Sequence, residues 1–158
     1  MWLIIGYGSL LHSDDRFGRD VVEQVHARAA DGTLDVVSAN QLTPELAEPI
    51  SRAAGVIFVD ANAALPPGSV QCAPLEASTC EQEPTAFTHH VTPEMLLCSA
   101  RTLFGHAPPA WLCSAGADSF ALGEALSASV SPAVPQVVDW ILDLLAANSA
   151  ATGEPGET

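Results

Sequence analysis

Three separate stretches of this chain carry residues that could do chemistry. The first, residues 6–20, reads GYGSLLHSDDRFGRD and holds the adjacent acids Asp14 and Asp15. The second, GVIFVDA, ends an apolar run on Asp60, and the third, THHVTP, presents His89 and His90 just before a predicted helix. Two carboxylates and an imidazole arriving from separate loops would form an open three-ligand site suited to a borderline divalent cation such as Zn²⁺ or Ni²⁺. Each residue also has a plainer role. Asp14 would serve as the N-cap of a helix starting near residue 16, worth about 1 kcal/mol. Asp60 would be a polar strand end and His89–His90 an exposed loop pair. Spacing alone leaves both readings open.

Other chemistries fit less well. GYGSLL supplies the first two glycines of a dinucleotide loop, but Leu11 stands where a small residue must let the phosphate approach. Asp14 and Asp15 would then set two negative charges against the phosphates. Neither a P-loop nor a G-x-S-x-G nucleophile elbow occurs. The cysteines, Cys72, Cys80, Cys98 and Cys113, form no C-x-x-C pair. They read as reduced, mostly buried thiols rather than as metal ligands or a disulfide framework.

Positioning Asp15 and Asp60 at one place requires a sheet. WLIIGYG and GVIFVDA are near-continuous apolar runs, the pattern of strands buried on both faces. LDVVSA and AWLCSA read as further strands, and VQCAPL as another. Between them, Phe17, Val21, Val22, Val25 and Ala29 recur at helical spacing over 16–30. Thr43–Pro44 opens a second helix running to about Ala54, and Thr92–Pro93 a third that stops near Gly105. SPAVPQVVDWILDLLAAN forms a C-terminal helix with a wide apolar stripe. Residues 76–91 read as irregular. The alternation predicts an α/β fold: a three-layer α/β/α sandwich, its mostly parallel twisted sheet flanked by helices. One domain would span 1–148, with 149–158 a disordered tail. In such sheets function gathers at the carboxyl ends of the strands, where both Asp15 and Asp60 fall.

The bulk numbers narrow the partners. A chain of 158 residues that is 48% hydrophobic can build one sizeable core. Nineteen acidic residues against five basic ones give a net charge of −14. With so few cations to neutralise phosphates, nucleic acid and anionic membranes are disfavoured as partners. No apolar run reaches spanning length and no signal-peptide pattern opens the chain, so a cytoplasmic protein is expected.

The same residues resemble a family. GYGSLLHSDDRFG is similar to the G-x-G-N-x-L-x-x-D-[DE]-x-x-G opening of the hydrogenase maturation proteases. VIFVDA, HHVTPEMLL and ALGEALSASV then match, in order, that family's Asp-Ala strand, its histidine-bearing segment and its late G-x-x-L-S-x-x-V motif. The resemblance runs from Ile4 to about Leu145. It implies a nickel-dependent endopeptidase that removes the C-terminal extension of a [NiFe]-hydrogenase large-subunit precursor after nickel insertion. The alternative is a non-catalytic metal-sensing or chaperone module for the same subunit. Carried over, the metal-binding set is Asp15, Asp60 and His90, with His89 as the second choice, while the catalytic group stays unassigned. The nickel would arrive with the precursor, and Zn or Cd could occupy the same site. Asp14 would cap the helix and steady the loop that bears Asp15. Two positions depart from the family pattern: Ser9 replaces its usual Asn, and Gln41 lies in a region that is often glycine-rich. Both are expected to line the cleft. The resemblance further implies a monomer.

Overall fold

A computed structural model of the chain describes residues 1–30, 32–77 and 91–153, with side chains through residue 148. His89 and His90 lie outside the described residues, as does most of the irregular segment read over 76–91. Five strands form one sheet: β1 (Trp2–Tyr7), β2 (Leu34–Ala39), β3 (Gly55–Asn62), β4 (Val70–Leu75) and β5 (Ala110–Gly116). Their order is β2-β1-β3-β5-β4. All neighbours pair in parallel except β4, which lies antiparallel to β5 at the edge. Among the described residues the α-helices are α1 (Phe17–Arg28), α2 (Ala47–Arg52), α3 (Pro93–Phe104) and α4 (Ala133–Gly153). The architecture is the expected α/β sandwich, and α4 continues past residue 148.

Strand alternation splits the core into two layers. Ile4, Ile57, Val59, Cys113 and Ala115 face α1 and α4, packing with Phe17, Val21, Val137 and Ile141. Leu3, Ile5, Val56 and Phe58 face the other way, toward Ile50 of α2 and Leu96, Leu97 and Ala100 of α3. The interior strands therefore need apolar residues at consecutive positions, as their sequences show.

Pro49 explains a departure from the expected second helix. Pro44–Leu46 forms a single 3-10 turn, and α2 restarts at Ala47. A proline N–H is missing, so Pro49 fits only in a first helical turn, where that donor has no partner. Thr43 makes no side-chain cap hydrogen bond. The same Thr-Pro-Glu opening behaves differently at α3, where Thr92 Oγ1 accepts from Met95 N at 3.1 Å. Gly105, at φ 84°, ends that helix in the left-handed conformation glycine tolerates best.

The cysteines only partly follow their expected state. Cys72 and Cys113 are free thiols. They face each other as register partners across β4 and β5. Their mutual hydrogen bond and burial push the Cys113 thiol up, making it a poor nucleophile. Cys98 of α3 is disulfide-bonded, which corrects the expectation of four reduced thiols.

Candidate active site at the carboxyl end of the sheet

β1 leads outward to β2, and the chain then crosses back over β1 to add β3 on its other side. The carboxyl ends of β1 and β3 thus flank a topological switch point, where the diverging connections leave a crevice. Tyr7 ends β1 and Asp60 lies near the end of β3, with Ser114 beside Asp60 in the β3–β5 register. By alternation all three side chains belong to the α2/α3 side of the sheet. Tyr7 Oη donates to Asp60 Oδ2 at 2.8 Å, and Ser114 Oγ donates to Asp60 Oδ1 at 2.7 Å.

Electrostatics set this carboxylate apart. Burial raises the Asp60 pKa, and the two hydroxyl donors only partly oppose that rise. The negative charges of Asp15 and Glu94 raise it further. Burial also pushes the Tyr7 phenol up, and the Asp60 and Glu94 charges add to the effect, so Tyr7 stays protonated and able to donate. Glu94 stands in the first turn of α3. Sequence reasoning assigned no role to Tyr7, Ser114 or Glu94. Ser114 could have been found only from its matching parity with Asp60 once β3 and β5 were paired.

Asp15 reaches the same end of the sheet through the turn after β1. The Ser9 backbone N–H donates to Asp15 Oδ2 at 2.8 Å, fixing the carboxylate against the glycine turn. Gly8, at φ 141°, is required there: a Cβ would lie 1.8 Å from the Asp15 carbonyl oxygen. The glycines of this loop thus serve close chain packing around Asp15, not phosphate. Ser9 Oγ accepts from Leu11 N at 3.1 Å and contacts His12 Nδ1 at 2.9 Å, so its hydroxyl is turned into its own loop. Gln41 is exposed, two residues past the end of β2.

The helix-cap role expected for Asp14 is corrected. Neither the 3-10 turn Ser13–Arg16 nor α1 has a side-chain cap hydrogen bond. Asp14 is instead fully buried. Its Oδ2 accepts from Asp118 N, Ser119 N and Ser127 Oγ at 2.8, 2.9 and 2.8 Å, and its Oδ1 from Ser127 N at 2.7 Å. Burial alone would raise its pKa, but these donors outweigh it and hold the carboxyl below the ordinary range. Ser13 N to Gly123 O and Gly123 N to Leu11 O, both 2.8 Å, complete the seam. Asp14 therefore clamps the loop at 118–127 onto the turn that carries Asp15. The opening motif and the late Gly123–Leu126–Ser127–Val130 motif are two halves of one device.

Chemically, the described part of the site offers two carboxylates with spare acceptor capacity. A carboxylate presents about four lone-pair positions. Asp60 uses two of them on protein donors, which leaves one on each oxygen. Among the described residues no three His, Cys, Asp or Glu side chains converge closely enough to hold a metal ion unaided. Two hard oxygen donors suit a divalent cation that brings further ligands of its own.

The strand order, with Asp60 and Asp15 at the carboxyl end of the sheet beside the switch point, is that of an α/β protein whose function gathers there. No protein-family model matches the chain, and no curated protein matches its sequence significantly. Solved structures do match. The hydrogenase 2 maturation peptidase from Thaumarchaeota archaeon SCGC_AB-539-E09 is 25% identical, with 91% of this chain and 97% of that one covered, at a TM-score of 0.68. The hydrogenase maturating endopeptidase HybD from E. coli is 20% identical, with 93% of each chain covered, at 0.75. The [NiFe] hydrogenase maturation protease HycI from Thermococcus kodakarensis KOD1 is 20% identical over 91% of each chain, at 0.68. In fold, the chain is similar to these hydrogenase maturation peptidases and proteases. No helix among the described residues is long and apolar enough to cross a membrane.

Proposed function

We propose that this chain is an endopeptidase that trims the C-terminal extension of a [NiFe]-hydrogenase large-subunit precursor once nickel has been inserted. One observation carries the reading: Tyr7 at the end of β1 holds Asp60 at 2.8 Å and Ser9, two residues on, holds Asp15 at 2.8 Å, so two carboxylates 45 residues apart by number stand at the same end of the sheet. The names of the structural relatives supply the kind of partner and the kind of reaction. In this reading Asp15, Asp60 and an imidazole from His90, or His89 in its place, grip the nickel that the precursor's own cysteines already hold. The cation is part of the substrate and supplies Lewis acidity beside the bond to be cut. The chain supplies the carboxylates that recognise it. A nickel-free precursor gives those carboxylates nothing to bind, so it is neither docked nor cut. The protein would act as a monomer in the cytoplasm.

Mass spectrometry of the nickel-loaded precursor, incubated with the protein, tests this directly. The expected product is a large subunit shortened at its C-terminus, with nickel-free precursor left whole. Asp15→Asn and Asp60→Asn should each retain the fold by circular dichroism yet process at less than about 1% of the unsubstituted rate, as expected for loss of a group acting on the reacting centre. Stable binding of the loaded precursor without any shortening would instead identify a chaperone or sensing module. Normal processing by both variants would overturn the site.

A further inference from the structure

Asp60 sits between two hydroxyls contributed by the strands on either side of its own. Tyr7 comes from β1 and Ser114 from β5. Each oxygen of the carboxylate receives one short hydrogen bond, at 2.8 and 2.7 Å. A carboxylate on a strand would otherwise turn about its terminal torsion, which is broad and roughly two-fold. Two donors on opposite oxygens fix that torsion and leave one lone pair free on each.

The surroundings show what this pairing demands. Ser114 is almost fully buried and Tyr7 half-buried. The Tyr7 ring packs with the α2/α3 core layer, so only its hydroxyl is committed to Asp60. The hydrogen-bond partners that Asp60 meets on its two oxygens are both neutral hydroxyls. Neutral hydroxyls orient the carboxylate without cancelling its charge, as a group that must attract a cation requires. A guanidinium in the same place would hold it as firmly and neutralise it.

We propose that Tyr7 and Ser114 are positioning residues that lock the Asp60 carboxylate in the orientation that accepts a divalent cation. The proposal rests on the reading of Asp60 as a cation ligand given above. It predicts that the hydroxyls matter for cation affinity rather than for the fold. Groups that orient a metal ligand typically contribute about ten- to a hundredfold to affinity.

Calorimetric titration of the full chain with Cd²⁺ tests this, with thermal unfolding measured alongside. Tyr7→Phe keeps the ring and removes only the hydroxyl; Ser114→Ala removes the other donor; Ser114→Thr retains one. The expected result is affinity reduced about tenfold or more in Tyr7→Phe and in Ser114→Ala, recovery in Ser114→Thr, and complete loss in Asp60→Asn. If Asp60→Asn abolishes binding while Tyr7→Phe and Ser114→Ala bind as the unsubstituted chain does, the positioning role is wrong and the site reading stands. If Asp60→Asn binds Cd²⁺ undiminished, both fail together. A crystal structure of Cd²⁺-loaded Tyr7→Phe with Asp60 in its original orientation would also overturn the proposal, whatever the melting temperatures.

Discussion

Asp14 and Asp15 are neighbours with opposite obligations. Asp15 is half-exposed and keeps acceptor capacity, whereas Asp14 is buried and saturated with donors. The hydrogen bonds that depress the Asp14 pKa also give its contribution a definite sign. A folded-state pKa below the unfolded value, about 3.9, means the clamp stabilises fully above that value. Its contribution is lost as pH falls through the lower folded value. Asp14→Asn should therefore lower stability near neutral pH by roughly 2–4 kcal/mol, because the amide replaces an acceptor with a donor facing N–H groups. It should also flatten the acid limb of a stability–pH curve measured by urea unfolding. A variant whose acid limb matches that of the unsubstituted chain would refute the clamp. Asp60 carries the reverse sign, since its raised folded pKa means ionisation costs stability as pH rises. At this scale the sequence disclosed residue types but not partners. The placement of Asp15 just after β1 and of Asp60 near the end of β3 was legible because strand ends announce themselves. The donors to Asp14 lie 104 to 113 residues away, and no local pattern carries that information.

At the scale of elements, the third motif glycine fixes how α1 meets the sheet. A Cβ on Gly18 would stand 2.1 Å from the Val59 carbonyl oxygen, and one on Gly6 would stand 2.1 Å from the Gly18 carbonyl oxygen. Helix and strands touch backbone to backbone, next to the turn that presents Asp15. Gly18→Ala must push α1 away from β3, so a loss of about 1–3 kcal/mol is expected despite alanine's better helix propensity. The displacement should also weaken Cd²⁺ binding, read by calorimetry. Gly32 is the control: its φ is 82° but nothing lies within 4 Å of its Cβ position. Gly32→Asn should cost little, because asparagine tolerates the left-handed region. The elements themselves were largely readable from apolar runs and helical spacing. What escaped was context. Thr43-Pro44-Glu45 and Thr92-Pro93-Glu94 are identical tripeptides, but with Pro49 downstream the first opens only a 3-10 turn before α2 restarts at Ala47, while the second opens α3 directly. The direction of β4 was equally hidden, since a strand's apolar pattern does not state which way its partner runs.

Across the whole molecule, Asp60 and its hydroxyl partners belong to the α2/α3 side of the sheet, whereas Asp15 enters through the turn before α1. The layer under α1 and α4 holds Phe17, Val137, Val138 and Ile141. The layer under α2 and α3 supports Asp60 and seats the start of α3, which follows directly on the histidine pair in sequence. Ile141 and Leu96 are both essentially inaccessible, so truncating either to alanine should destabilise the chain by about 2–5 kcal/mol. Their effects on the site should differ. Ile141→Ala opens its cavity on the far side of a rigid five-stranded sheet, and Cd²⁺ affinity should stay within about twofold of the original. Leu96→Ala loosens the first turns of α3, and with them Glu94, whose charge acts on Asp60 and Tyr7. Affinity should then fall several-fold at equal loss of stability. Urea unfolding matched against calorimetry separates the two. Equal affinity loss in both variants would show that the site depends on global stability, not on the layer that carries it.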